Sequence, residues 1–291
     1  MRANVPDYEL RVPRDLGEAL ALLAERPGEW RPFAGGTDLM VLFEAGRLAH
    51  RKFVSIWRLA ELRGVEETDA HVTLGALTTY ADVRASATMQ REFPILCRAA
   101  AETGGLAIQN RGTLGGNIAN ASPAADSPPG LIAYGAQVEL LSASGARWVE
   151  YENFHTGYKQ TVMRADELVA RVRLPRPAPG ATHYWHKVGT RRAQAISKVC
   201  LAAYAELEGA RVGEVRIALG SVAPVVLRCR RTEDALRGRE LDAATIEEAA
   251  RMLSEEVAPI DDIRSTARYR RKVSENLLRE FLAQLSGQGL R

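Results

Sequence analysis

The chain has 291 residues, 46% hydrophobic and 26% charged, the balance of a globular protein long enough for two domains of roughly 100–200 residues each. Its 39 basic and 36 acidic side chains leave a net charge of only +3, too weak for the concentrated basic patch of a nucleic-acid-binding protein. Cys97, Cys200 and Cys229 are widely spaced, which excludes a zinc ribbon or iron–sulfur cluster in this chain and fits a reducing compartment, and without a run of about 18 apolar residues no membrane span is expected.

The chain opens MRANVPDYEL, without the apolar stretch of a signal peptide, so a cytoplasmic protein is expected. Tyr8 to Leu10 reads as a short strand. Asp15 and Glu18 form a capping-box-like helix start. Leu16, Ala19, Leu20 and Leu23 follow at helical spacing, giving one apolar face that ends at Pro27-Gly28. Trp30 to Ala34 reads as a second strand, Asp38 to Ala45 as a helix stopped by Gly46, and Lys52 to Ile56 as a third strand. This β-α-β-α-β order predicts a small parallel sheet.

From Val72 the pattern becomes antiparallel in character. Val72 to Leu77 reads as a strand, Tyr80 to Ser86 and Pro94 to Thr103 as helices, the second stopped by Gly104-Gly105. Asn110 to Asp126 reads as a long loop, and Asp126 to Tyr134 as a helix whose first turn accommodates Pro128 and Pro129. Gln137 to Leu141 and Arg147 to Glu150 form a hairpin around Ser144-Gly145, and Glu167 to Leu174 is a further strand closed by Pro175. Arg176 to Gly180, RPAPG, is the candidate linker. Beyond it, His183 to Val188, Ile196 to Leu207 and Val215 to Leu219 read as strands, and Ala243 to Leu253 and Ser265 to Leu285 as helices. Tyr269, Val273, Leu277 and Phe281 line one face of the last helix, and the basic cluster Arg268, Arg270, Arg271 and Lys272 reads as its solvated side. The fold class is therefore α+β.

Two glycine pairs stand out. PFAGGTDL, Pro32 to Leu39, leaves a strand and opens a helix, the place where open α/β sheets bind ligands. Glycine lets a ligand approach the backbone, and a helix N-terminus offers unpaired N–H groups to phosphate. In NRGTLGGNIANASPAAD, Asn110 to Asp126, the residues Thr113, Gly115, Gly116 and Asn117 bring a hydroxyl, two bare backbones and an amide together. All are expected to donate to phosphate oxygens, so the two stretches predict one cradle for a diphosphate. Ser122-Pro123 is suited to start the next helix. Asp126 has two readings: an acceptor for ligand donors, or a solvated carboxylate favoured by the helix dipole. Neither GxxxxGK[ST] nor GxGxxG occurs, which disfavours the P-loop and the common dinucleotide fold.

AGGTDL at Ala34 to Leu39 and RGTLGGNIANASPAAD at Arg111 to Asp126 resemble the FAD-binding subunit of the molybdenum hydroxylases, the family of xanthine dehydrogenase and carbon monoxide dehydrogenase. The resemblance continues in DELVARVRLP, HKVGTRRAQAISKV, VRIALGSVAP and DIRSTARYRRKV, and so covers nearly the whole chain. It implies a two-lobe FAD-binding domain at 1–177, with a small parallel lobe at about 1–57 and an antiparallel lobe with helices at 58–177. A C-terminal α+β domain with a small antiparallel sheet follows at 178–291. Carried over by matching position, the implied FAD contacts are Phe33, Ala34, Gly35, Gly36, Thr37, Asp38, Leu39, Thr113, Leu114, Gly115, Gly116, Asn117 and Asp126. Val169 matches a position packed near the adenine and Lys187 one near the flavin end; an aromatic position of the family falls near Thr103. The stretch Asn110 to Asp126 holds no His or Cys, so non-covalent FAD is expected.

The resemblance also implies partners: a small subunit with 2Fe-2S clusters and a large molybdenum-cofactor subunit, in a dimer of heterotrimers. Electrons would pass from the clusters through FAD to NAD+ or another acceptor, with no catalytic side chain in this oxidoreductase subunit. Arg191 and Arg192 match a segment that approaches the flavin, where they either tune its potential or meet the acceptor; their other reading is surface arginines. His183 and His186, three apart on a strand, face opposite ways and are no metal pair, and His155 reads as structural. Two rival functions stand beside this one: a self-sufficient FAD-dependent oxidoreductase of the same fold, which needs positioned acid–base residues, and a nonenzymatic nucleotide-binding module.

Overall fold

The computed structural model describes residues 7–191 and 194–287. Its first lobe runs β1 (Glu9–Arg11), α1 (Leu16–Glu25), β2 (Arg31–Phe33), α2 (Leu39–Glu44) and β3 (Lys52–Ser55). The strands lie in the order β1-β3-β2 with both pairings parallel, as the alternation of elements predicts. Asp15 caps α1 by accepting the Glu18 N–H at 2.8 Å. The Glu18 carboxylate accepts from the Arg14 amide, so the capping box does not close on Asp15. Ala19, Leu20 and Leu23 bury their stripe among Val54, Leu62, Leu77 and Leu168. This apolar seam ties the first lobe to the second.

The second lobe begins with β4 (Val65–Glu67) and β5 (His71–Gly75) and continues through six helices: α3 (Tyr80–Ala85), α4 (Ala87–Glu92), α5 (Pro94–Glu102), α6 (Leu106–Gln109), α7 (Leu114–Asn120) and α8 (Ser127–Ala133). Then come β6 (Gln137–Ser142), β7 (Gly145–Glu150), β8 (His155–Gly157), β9 (Gln160–Thr161) and β10 (Leu168–Pro175). The main sheet has the order β4-β5-β10-β6-β7, antiparallel throughout. The stretch Asn110 to Asp126 is not the loop its glycines suggest. Leu114 to Asn120 is helical, with the Thr113 hydroxyl accepting the Gly116 N–H as N-cap. Two glycines cost a helix about 1 kcal/mol each, and here tertiary contact overrides that preference: Gly115 lies against Ala76, whose carbonyl takes its N–H at 2.9 Å. Ser122 does not start the next helix either; its hydroxyl accepts the Ala124 N–H in a turn, and α8 starts after Asp126 with Pro128 and Pro129 in its first turn.

The C-terminal region contains β11 (Thr182–Val188), β12 (Val199–Glu208), β13 (Arg211–Gly220), β14 (Leu227–Arg228), α9 (Arg230–Leu236), α10 (Ala243–Glu256) and α11 (Ala267–Leu285). The strands form one antiparallel sheet in chain order. Alternation along β12 decides how this sheet is used. Cys200, Ala202 and Tyr204 face the core of the second lobe, while Val199, Leu201, Ala203 and Ala205 face α10 and α11. The sheet is thus a wall shared by the core of the second lobe and the C-terminal helices. On α11 the buried face is Leu277, Leu278, Phe281, Leu282 and Leu285. Tyr269 departs from the predicted stripe: it is 44% exposed and lies under the Lys198 ammonium at 5.3 Å. Arg270 departs from the predicted solvated cluster. It is buried, with its guanidinium on the Ser221 carbonyl and Asp262. The RPAPG stretch is strapped down at its start, where Arg176 bonds Glu67, Glu92 and the Thr68 carbonyl.

Candidate functional site

A cavity of about 760 Å³ opens where the first lobe, the second lobe and two loops of the C-terminal region meet. That is within the usual range for small-molecule and cofactor sites. Its first wall is the turn between β2 and α2. Gly36 has φ +78°, a left-handed conformation that glycine adopts without penalty. The N–H groups of Gly35, Gly36, Thr37, Asp38 and Leu39 have no acceptor among the described residues; the first bond of this turn is Met40 N–H to the Gly36 carbonyl. Successive unpaired amides around a left-handed residue make a concave anion site. The head of α2 adds its partial positive charge.

The opposite wall is the start of α7, and it is built differently. The Leu114 N–H goes to the Thr78 carbonyl, Gly115 to Ala76, Gly116 to the Thr113 hydroxyl and Asn117 to the Thr113 carbonyl. The expectation that both glycine pairs donate to phosphate through their backbones is therefore corrected: the second pair has no free amide. What it offers is proximity, together with the Asn117 side chain. The Asn117 Oδ1 is buried without a hydrogen-bond partner, at a cost of about 1–3 kcal/mol unless a donor reaches it.

The walls touch. A Cβ on Gly35 would come within 1.7 Å of the Arg111 carbonyl oxygen, so the two stretches meet backbone to backbone across 76 positions of sequence. Asn120 donates to Asp38 at 3.2 Å and accepts from the Lys159 ammonium at 3.2 Å, bridging the lobes at the rim. On the far side the Arg111 guanidinium stacks 3.8 Å over Trp57.

Of the residues singled out from sequence, Ala34, Gly35, Gly36, Thr37, Asp38, Leu39, Thr113, Gly115, Gly116, Asn117, Asp126 and Val169 line this cavity. Phe33, Leu114 and Lys187 do not. The Phe33 ring sits beneath Gly36, Leu114 is core, and the Lys187 ammonium is turned to the Asp126 carboxylate at 2.6 Å and the Glu102 carbonyl at 3.2 Å. Asp126 is buried, which excludes its solvated reading; its second oxygen accepts from the Ser197 hydroxyl at 2.6 Å. Burial pushes this carboxyl up, against the opposing pull of the Lys187 ammonium and the Ser197 hydroxyl. Thr103 also lines the cavity and spends its hydroxyl on the Ala99 carbonyl. Arg191 is exposed, with its guanidinium on the Gln194 carbonyl, and Arg192 lies outside the described residues.

Sequence reasoning missed the Gly104-Gly105 wall and the C-terminal contribution of Gln194, Ile196 and Arg264. Gly104-Gly105 carried a usable signal, a third glycine pair, but it reads equally well as a helix stop. A Cβ on Gly105 would meet the Gln194 amide at 2.8 Å, so that pair admits the C-terminal loop. His183 and His186 lie on opposite faces of β11. His183 Nδ1 meets the Tyr134 hydroxyl, His186 faces Glu280, and His155 meets the Ile118 carbonyl.

Residues 6–177 match a family described as the FAD binding domain in molybdopterin dehydrogenase, and residues 184–285 match the CO dehydrogenase flavoprotein C-terminal domain. The chain is 31% identical over 274 residues to the xanthine dehydrogenase FAD-binding subunit of Escherichia coli O157:H7, covering 92% of each. It is 29% identical over 277 residues to the carbon monoxide dehydrogenase medium chain of Hydrogenophaga pseudoflava, covering 95% of this chain and 96% of that one. Among solved structures, quinoline 2-oxidoreductase from Pseudomonas putida 86 superposes with a TM-score of 0.90 at 27% identity, covering 99% of both chains.

Proposed function

The chain belongs to the FAD-binding subunits of the molybdopterin dehydrogenases, and on that premise we propose that it is the electron-transfer flavoprotein of a multi-subunit enzyme. In this reading a small partner subunit with 2Fe-2S clusters and a large molybdenum-cofactor subunit complete a dimer of heterotrimers in the cytoplasm. The acceptor is NAD+ or another oxidant. No described helix is long and apolar enough to cross a membrane.

The observation that carries the proposal is the row of unpaired amides from Gly35 to Leu39 on one wall, faced by the orphaned Asn117 oxygen on the other. A diphosphate suits the amides, and a hydroxyl or N–H donor of the same ligand suits Asn117. FAD carries both. Bound there, the flavin supplies the capacity to accept electrons and pass them on; the chain's own residues bind, orient and shield it. Gly35 to Leu39 would hold the diphosphate, while Thr113, Gly115 and Gly116 bring the second wall close. Val169 adds an apolar surface. Phe33 and Leu114 support the two walls from behind, and Lys187 steadies Asp126. No described residue lining the cavity is His or Cys, which favours FAD held without a covalent bond.

The cavity's carboxylates favour an electron carrier over a self-sufficient oxidoreductase. Asp126 is engaged by Lys187 and Ser197, and Asp38 by Asn120, so neither is poised as a general base. Purification of the chain with its complex tests the reading. A flavin absorption spectrum, release of intact FAD by acid, and co-elution of an iron–sulfur and a molybdenum protein are expected. A colourless chain that takes up no FAD would end it, and turnover of an organic substrate by the isolated chain would favour the self-sufficient enzyme.

A further inference from the structure

A chain of hydrogen bonds leads from the floor of the cavity to a cation on its rim. Ser197 donates to Asp126; the Ser221 hydroxyl donates to the Ser197 carbonyl at 2.9 Å; Arg270 Nη1 donates to the Ser221 carbonyl at 2.8 Å. The other end of the Arg270 guanidinium donates to Asp262 Oδ1 at 2.6 Å. Asp262 also accepts the Arg264 backbone N–H at 2.8 Å and pairs with its guanidinium at 3.2 Å. Arg264 lines the cavity together with Gln194, Ala195 and Ile196. Two guanidinium groups thus share one carboxylate, so the cluster keeps a net positive charge. Arg270 is buried and fixed, while the Arg264 side chain is 39% exposed at the cavity.

We propose that Arg264 is the cation that the C-terminal domain supplies to the bound cofactor, and that it contacts the isoalloxazine half and favours the reduced flavin. The inference rests on the reading of the cavity as an FAD site. The diphosphate already has the amides of Gly35 to Leu39, which belong to the other domain. Adenosine is neutral and gains little from a fixed charge. The isoalloxazine ring is the part of FAD that becomes more electron-rich on reduction, and a positioned cation stabilises charge where it develops. Asp262 and Arg270 make that position rigid: the backbone and the side chain of Arg264 are both held by one carboxylate, itself clamped by a buried guanidinium.

The test compares the full-length chain with R264Q and R264K, measuring FAD affinity, ADP affinity and the flavin midpoint potential. ADP carries the same adenosine and diphosphate without the flavin. R264Q is expected to weaken FAD about tenfold while leaving ADP within twofold. It should also lower the preference for reduced flavin about tenfold, equivalent to about 30 mV for a two-electron couple. R264K should retain most of both. Because the Arg264 side chain is part-exposed and Asp262 keeps its bond to Arg270 in either variant, these variants should melt like the parent. Wild-type FAD affinity and potential in R264Q would overturn the proposal, as would equal weakening of FAD and ADP, or an R264K as impaired as R264Q. A parent chain that binds no FAD would sink the functional reading and this inference together; a parent that binds FAD beside an unaffected R264Q would sink this inference alone.

Discussion

The two glycine pairs that frame the cavity look alike in sequence and differ in physics. In Gly35-Gly36 the backbone is the ligand: five consecutive amides from Gly35 to Leu39 have no acceptor among the described residues. In Gly115-Gly116 the amides are spent on Ala76 and on Thr113, and Gly115 lets the helix lie against Ala76 at the end of β5. One pair is a donor surface and the other a packing wedge. A glycine pair therefore does not announce a phosphate site; the fate of its N–H groups decides.

Substitutions at the two pairs give the largest expected contrast. Gly35→Ala would drive a Cβ to 1.7 Å from the Arg111 carbonyl, and backbone on both sides must move. We expect more than a hundredfold loss of FAD affinity by fluorescence titration, or a chain that does not fold. Gly116→Ala meets only the Thr113 hydroxyl, at 2.8 Å, and should cost little more than that cap, about 1 kcal/mol in a denaturant melt. Equal damage at both positions would break the contrast.

Asp126 comes next. It joins α8 to β11 and the loop before β12 through Lys187 and Ser197. Asp126→Ala leaves the Lys187 ammonium buried without its carboxylate, and removing one partner of a buried pair costs about 3–5 kcal/mol. Denaturant unfolding should show a loss of that size. A loss below about 1 kcal/mol would mean that water reaches the site and that the floor is softer than its geometry suggests.

A crossed pair of variants separates binding from packing on the second wall itself. Asn117→Ala removes the orphaned acceptor and should weaken FAD about tenfold, roughly 1.4 kcal/mol, without lowering the melting temperature. Thr113→Ala removes the N-cap of α7 and should do the reverse, costing about 1 kcal/mol of stability with FAD affinity within a few-fold. If Thr113→Ala weakens FAD more than Asn117→Ala does, the wedge description of this wall is wrong.

The first lobe was legible because its elements carry their own signals: a capped amphipathic helix, helices followed by Gly28 and Gly46, and an alternation of strand and helix that suits a parallel sheet. The alternation of β12 was legible as a strand, though its burial on both faces is a tertiary fact. The helix α7 was not. LGGN lacks helical propensity, and only the fit of Gly115 against Ala76 makes it helical. The helix α9 was hidden by composition. Its Thr232 and Glu233 are polar and break any apolar stripe, yet Glu233 is 1% exposed and accepts from the Ile217 amide and Arg228. Asp126 was found through its neighbours in sequence, but its partners Lys187 and Ser197 lie 61 and 71 positions away. Arg264 lies in DIRSTARYRRKV, a stretch that resembles the family but does not point to the cavity; its place there follows from a bond network through Ser197, Ser221, Arg270 and Asp262.

The smallest expected effect concerns acid, and it should also fall on one wall. His155 meets the Ile118 carbonyl of α7, and burial lowers its pKa below the ordinary value of 6.5. The fold therefore favours neutral His155. Its contribution is fully present above the unfolded value, and it fades as pH drops from about 6.5 towards the lowered folded value, because the unfolded chain takes up the proton first. The second wall should loosen over that window, read as faster hydrogen exchange along Leu114 to Asn120 at pH 5.5 than base chemistry allows. Exchange in α2, which has no histidine contact among the described residues, should follow the chemical rate alone. His155→Gln should flatten the response of α7 by keeping a neutral donor at the Ile118 carbonyl. If α2 and α7 loosen together in acid, and still do so in His155→Gln, the two walls act as one unit and the separation drawn between them fails.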